Sequence, residues 1–209
     1  MTAAIPDSTH FWNQRFNSPD YIFGKAANVY LQAQAKRHLK VGDSVLCVAD
    51  GEGRNSVWLV KQGMRVDGFD LSEVALSKAD ALANEEVAEV QFTLASTDDW
   101  QWQPNQYDAV VGIFIQFADP VMRVRLFAQM VSTLKPGGVF ILQGYTPKQL
   151  EFKTGGPSIL EHLYTEEMIR GLIGNLEVID LRMYEEMLSE GSKHSGMSAL
   201  LGLVARKPL

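Results

Sequence analysis

The sequence predicts an α/β protein: a doubly wound, mostly parallel sheet of seven strands with helices on both faces and a C-terminal antiparallel hairpin. Three observations predict it. Short apolar runs alternate with helix-patterned stretches along the chain, the pattern of βαβ units. The first run, Val45 to Ala49, opens into "DGEGRNS", a glycine loop entering a helix. The second run ends on Asp70 roughly 20 residues further on, a spacing that belongs to nucleoside-binding sheets.

Each element has a local reason. "SVLCVA" (44–49) is too continuously apolar to face water on either side, so it reads as a central parallel strand. The helix "RNSVWLVKQG" stops at Gly63, a residue free to turn left-handed. "RVDGFDL" is the second strand, "SEVALSKADALANEE" a helix capped by Ser72, and "AEVQFTLAS" the third strand. "YDAVVGIFIQF" is the fourth. Asp119 and Pro120 open the helix "DPVMRVRLFAQMVSTLK", and "GGVFILQGY" is the fifth strand. "TEEMIRGLIGN" reads as a helix, and "LEVIDLRMYEE" and "GMSALLGLVAR" as two strands joined by the loop Gly191 to Gly196. We expect one domain over 1–209, with residues 1–40 as a helical lid segment and 41–209 as the core.

Composition narrows the function. The 209 residues are 46% hydrophobic, enough for one well-buried domain. Nineteen basic against 25 acidic residues give a net charge of -6, which repels nucleic acid and anionic membranes. No apolar run approaches the roughly 20 residues of a membrane span, and the start lacks a secretory core, so a cytoplasmic location is expected. The single cysteine permits no internal disulfide and agrees with a reducing compartment. His10, His38, His162 and His194 lack metal-ligand spacing, so no metal is expected. "KRHLK" (36–40) reads as a solvated helix end.

The chemistry concentrates after the first strand. Gly51 and Gly53 let the backbone approach a ligand, and the helix starting near Arg54 points free N–H groups at it. Asp70 is spaced to accept hydrogen bonds from both hydroxyls of a ribose. At the end of the third strand, Ser96, Thr97 or Asp98 faces an adenine edge, with Trp100 and Trp102 either over the ring or simply packed.

"GEGRNSVWLVKQG", "VDGFDLSEVAL", "YDAVVGIF" and "LKPGGVFIL" resemble, in order and spacing, class I S-adenosylmethionine-dependent methyltransferases, whose fold is Rossmann-like. "FWNQRF" with "YIFG", "TGGP" and "EGSKHSG" resemble the tellurite-resistance type, relatives of the thiopurine enzymes. The resemblance implies S-adenosyl-L-methionine as cofactor. It implies that Ala49, Asp50, Gly51, Gly53 and Asn55 hold its methionine moiety, Asp70 the ribose, Leu71 one face of the adenine, Ser96 with Thr97 its edge, and Ile113 the rest of the pocket. Arg15 and Tyr21 join this set from the lid, Phe11 to Tyr30.

Two positions depart from the pattern. Where the family carries an acid this chain has Cys47, which reads as a buried, inert thiol, and Asp50 is expected to bring a compensating carboxylate to the cofactor's ammonium. Ala49 replaces a glycine, at a cost of about 1 kcal/mol if the loop needs a left-handed residue there. The family position of Ser96 is commonly acidic, so serine offers a weaker acceptor.

Methyl transfer mainly requires alignment and desolvation. His194, in its glycine-flanked loop, is the expected catalytic base for acceptors that carry a proton; a soft thiol, selenium or tellurium anion needs none. Arg15 and Arg54 attract a carboxylate or oxyanion, and Tyr21, Phe23 and Tyr145 supply an aromatic wall. A small-molecule methyltransferase, monomeric or homodimeric, is the expectation. A degenerate cofactor-binding module is one alternative. A nicotinamide oxidoreductase is the other, although the third glycine of its fingerprint is Val57 here.

Overall fold

The computed structural model describes residues 8–209; residues 1–7 of the expected lid lie outside that range. The elements run α1 (Ser8–Phe16), α2 (Val29–His38), β1 (Ser44–Val48), α3 (Arg54–Lys61), β2 (Arg65–Asp70), α4 (Glu73–Glu85), β3 (Gln91–Leu94), β4 (Tyr107–Ile113), α5 (Pro120–Thr133), β5 (Leu134–Tyr145), α6 (Gln149–Phe152), α7 (Glu166–Leu172), β6 (Glu177–Glu190) and β7 (His194–Arg206). The seven strands form one sheet in the order β3-β2-β1-β4-β5-β7-β6. All neighbours are parallel except β5–β7 and β6–β7, as the apolar runs predicted.

Strand β1 shows why the order holds. Val45, Leu46, Cys47 and Val48 are each no more than 2% exposed. Leu46 and Val48 enter one core with Phe69, Phe127, Phe140 and Tyr164, while Val45 and Cys47 enter the other with Tyr30, Leu31 and Leu59. Alternation along a strand thus feeds two layers, α5 and α7 covering one face and α2 and α3 the other. Each fully buried large side chain contributes roughly 1.5–3 kcal/mol.

The caps at Ser72 and Asp119 are in place, accepting from Ala75 N and Met122 N. Strand ends differ. Leu134 and Lys135, expected to finish a helix, begin β5 instead, and Gly137 within it is left-handed, at φ +77°. The terminal strands extend further than expected, so Gly191–Lys193 alone makes the turn and His194 stands at the start of β7. Chain order reverses between β1 and β4, and a parallel sheet opens a crevice at such a point beyond its carboxyl ends. No helix among the described residues is long and apolar enough to cross a membrane.

Candidate functional site

The loop leaving β1 turns left-handed three times, at Ala49 (φ +48°), Gly51 (+62°) and Gly53 (+79°). Gly53 is sterically required, since a Cβ there would lie 2.7 Å from the Ala79 Cβ. Ala49 has the strained conformation for which the family uses glycine, so its cost of about 1 kcal/mol applies. Phe16 of α1 lies 3.4 Å from where a Cβ on Gly51 would stand. Helix α3 starts on Gly53 with no side-chain cap, leaving its first N–H groups to face a ligand.

Asp70 closes the opposite wall. Its Oδ2 accepts the Gly51 N–H at 3.0 Å and its Oδ1 accepts the Ser72 N–H at 2.9 Å. The residue is buried, and burial raises its pKa against the pull of those N–H groups. Each carboxylate oxygen keeps a lone pair for a ribose hydroxyl. Leu71 follows, half-buried, and Ser72 donates its hydroxyl to Asn13 Oδ1 of α1 at 2.6 Å.

Three expectations near the adenine are answered. Thr97 is buried beside this wall. The Ser96 hydroxyl is spent on its own turn, donating to Asp99 at 2.6 Å and accepting from the Asp98 and Asp99 N–H groups at 3.2 Å. Its expected role at the adenine edge is therefore corrected: a serine at a turn start satisfies nearby backbone first. Trp100 stacks on Phe69 at 4.6 Å and Trp102 donates to Thr97 O at 2.9 Å, so both tryptophans are packing. Ile113 ends β4 half-buried, next to Phe114, which is left-handed at φ +57°.

The Cys47 thiol is inert: burial first, then the nearby Asp50 carboxyl, pushes its pKa well up. Asp50 departs from expectation. Its carboxyl is buried beside Ser56, whose hydroxyl and N–H favour its charged form. Burial moves the Asp50 pKa up to about 7, with Ser56 opposing. A carboxyl raised this far by burial is a weaker fixed counter-charge for an ammonium than the ordinary carboxylate the compensating role requires.

On the acceptor side, His194 is buried among Phe114, Phe23 and Tyr145, with ring centroids at 4.3, 4.4 and 5.7 Å. Its Nδ1 has no partner among the described residues. Burial, then Arg54 and Arg15, drives its pKa down to about 3, so the imidazole is neutral at physiological pH. Arg54 is committed elsewhere, pairing with Glu190 at 2.7 Å, and is not a free anion-binding group. Arg15 is exposed, over the Trp12 ring. Tyr21 turns away from the aromatic wall: its ring packs with Val57, Leu82 and Ala83, and its hydroxyl donates to Lys78 O at 2.9 Å. Phe23 and Tyr145 do stand in the wall.

Sequence reading missed a polar chain linking lid, loop and hairpin. Asn28 Nδ2 donates to Gln143 Oε1 at 2.7 Å and to Glu190 Oε1 at 2.9 Å, Gln143 donates to Tyr184 at 2.6 Å, and Asn55 Oδ1 accepts the Asn28 N–H at 3.0 Å. The signal for Asn28 was its place before "VYLQAQ" as a helix cap. Phe114 carried none.

The residues fit an adenosyl-sulfonium ligand. Asp70 has unused acceptor capacity, Gly51 and Gly53 have no Cβ, and His194 Nδ1 is buried without a partner among the described residues. A family model described as "Methyltransferase domain" matches residues 45–138. The ribosomal protein L11 methyltransferase of Campylobacter concisus is 28% identical over 82% of this chain and 55% of its own length. The chain spans little more than half the length of the curated relatives it matches. The structure reported for conversion of a disulfide bond into a thioacetal group during echinomycin biosynthesis superposes with a TM-score of 0.75 at 18% identity, covering 95% of this chain and 91% of that one. TehB from Haemophilus influenzae does so at 0.70 and 17%, covering 95% and 66%. At such identities the likeness shows the fold.

Proposed function

We propose that this chain is a class I S-adenosylmethionine-dependent methyltransferase, as its methyltransferase-domain match and its fold support, and that it methylates a small, soft nucleophile: a thiolate, or a selenium or tellurium anion. S-adenosyl-L-methionine, when bound, supplies a methyl group on an activated sulfonium. Asp70 holds the ribose hydroxyls, the backbone of Ala49 to Gly53 holds the methionine end, and Leu71 with Thr97 borders the adenine. Phe23, Phe114 and Tyr145 exclude water from the acceptor side and present π faces to a cationic centre.

The observation that carries the acceptor class is the setting of His194, buried among Phe114, Phe23 and Tyr145, where the charged imidazolium is disfavoured. A base with a pKa near 3 is badly matched to an ammonium or hydroxyl proton, because proton transfer is efficient only when the two pKa values are close. A neutral imidazole instead donates a hydrogen bond to an acceptor that arrives already ionised. Soft anions meet that condition and need only positioning. A cytoplasmic enzyme with one buried thiol, acting as a monomer or homodimer, completes the proposal.

The test is transfer of a labelled methyl group to a panel of thiols, selenite, tellurite, amines and alcohols, alongside calorimetric titration with S-adenosylhomocysteine. Turnover of the soft acceptors alone is expected. Preference for amines would sink the acceptor class, and binding without any turnover would leave a regulatory module in its place.

A further inference from the structure

The charged residues on either side of Gly53 both reach out of the glycine loop into the lid. Glu52 is 2% exposed. Its two carboxylate oxygens each accept one of two consecutive backbone N–H groups, Ile22 on Oε1 and Phe23 on Oε2, both at 3.3 Å. Lys78 of α4 pairs with Oε1. Lys78 also donates to the carbonyls of Asp20 at 2.6 Å and Phe16 at 3.4 Å. Arg54 donates through Nη1 to Phe23 O at 2.9 Å and Ala26 O at 3.3 Å, and through Nη2 to Glu190.

These bonds grip the lid's main chain from Ile22 to Ala26 on both sides of the glycine that admits the ligand. Phe16 and Asn13 of α1 meet Gly51 and Ser72 at the front of the cleft, so the lid stands over the path a nucleoside would take. An open groove of about 460 Å³ between Phe16 and the first turns of α4 flanks the cleft. Charged groups suit a closure that must reopen. Their attraction when closed is largely offset by the hydration they regain when open, whereas an apolar latch would have to expose its surface to water.

We propose that Glu52 and Arg54 form a latch that seats the lid on the glycine loop and sets how fast the cofactor leaves. They are positioning residues, and the inference rests on the cofactor reading above. The test compares wild type with Glu52→Gln, which keeps the side chain's size but removes one acceptor oxygen and the pairing with Lys78. Amide exchange at Ile22 and Phe23 and the dissociation rate of S-adenosylhomocysteine are measured together. Both are expected to rise roughly tenfold, the scale of a lost charge-assisted hydrogen bond. Lys78→Met, which leaves both N–H bonds to Glu52 in place, is expected to give a smaller rise in each and serves if Glu52→Gln does not fold. Unchanged exchange at Ile22 and Phe23 would overturn the latch. Faster exchange with unchanged dissociation would overturn its control of the cofactor. Should wild type bind no S-adenosylhomocysteine, the cofactor reading fails, while the exchange data still report whether the latch holds the lid.

Discussion

The main chain of Gly51 and the carboxylate of Asp70 are joined by a 3.0 Å hydrogen bond across the mouth of β1 and β2. One side chain therefore fixes the glycine loop and keeps free lone pairs, which the proposed function assigns to the ribose. The two duties separate by substitution. Asp70→Asn keeps one acceptor oxygen and loses the charge, so affinity for S-adenosylhomocysteine should fall by more than about tenfold, the loss of charge-assisted bonds. Asp70→Ala also leaves the Gly51 N–H without its partner and should lower thermal stability as well. Calorimetric titration and a melting curve on both variants check this; unchanged affinity in either would move the nucleoside elsewhere.

Ala49 stands at φ +48° where its Cβ is a liability. Ala49→Gly removes the left-handed penalty of about 1 kcal/mol and adds unfolded-state freedom that returns part of it. A net gain of roughly 0.5 kcal/mol, or about 1–2 °C in melting temperature, is expected. A drop on calorimetry would mean that packing of the Ala49 methyl against the core outweighs its backbone strain.

His194 makes a prediction about rate. With its pKa pushed down to about 3 by burial and by Arg54 and Arg15, it stays neutral throughout the range from pH 5 to 9. The pH profile of kcat/KM should then follow the ionisation of the acceptor and shift when the acceptor is changed. An inflection near 6.5 that persists across acceptors and vanishes in His194→Gln would restore the base role.

The sheet was legible because every strand that mattered is buried on one or both faces, so apolar runs such as 44–48 and 139–145 mark it directly. Gly51, Gly53 and Asp70 were legible because backbone conformation and spacing constrain them, with few residue types able to serve. What escaped was direction. Asp50 and Ser96 are the right residue types in the right loops, but side-chain orientation there depends on Ser56 and on the 96–99 turn. Tyr21 read as an aromatic wall and proved to be an anchor on α4. Glu52 and Arg54 bond to a lid more than 25 residues away in sequence, a relation no local pattern encodes.

Two buried groups oppose each other in the response of stability to acid. Asp50 has its folded pKa raised from 3.8 to about 7. Between those values the folded state holds a proton that the unfolded chain releases, so this stability is full below about pH 4 and is lost as pH rises through 7. His194 is lowered from 6.5 to about 3. Between those values the unfolded chain holds a proton that the fold refuses, so this stability is full above about 6.5 and is lost as pH falls toward 3. In the overlap, from about pH 4 to 6.5, the two slopes have opposite sign and each reaches at most about 1.4 kcal/mol per pH unit. Wild type should therefore show little net slope from this pair. Asp50→Asn removes one side of the balance, so relative to wild type its stability should fall on acidification from pH 6.5 to 4. The same variant should be stabilised at pH 8, on the order of a few kcal/mol, since an amide carries no charge to bury. His194→Phe should do the reverse, gaining stability relative to wild type on acidification. Urea unfolding of the three proteins at pH 4.5, 6 and 8 reads these differences directly. Parallel curves for wild type and Asp50→Asn would mean that the Asp50 carboxyl reaches water and titrates as an ordinary acid.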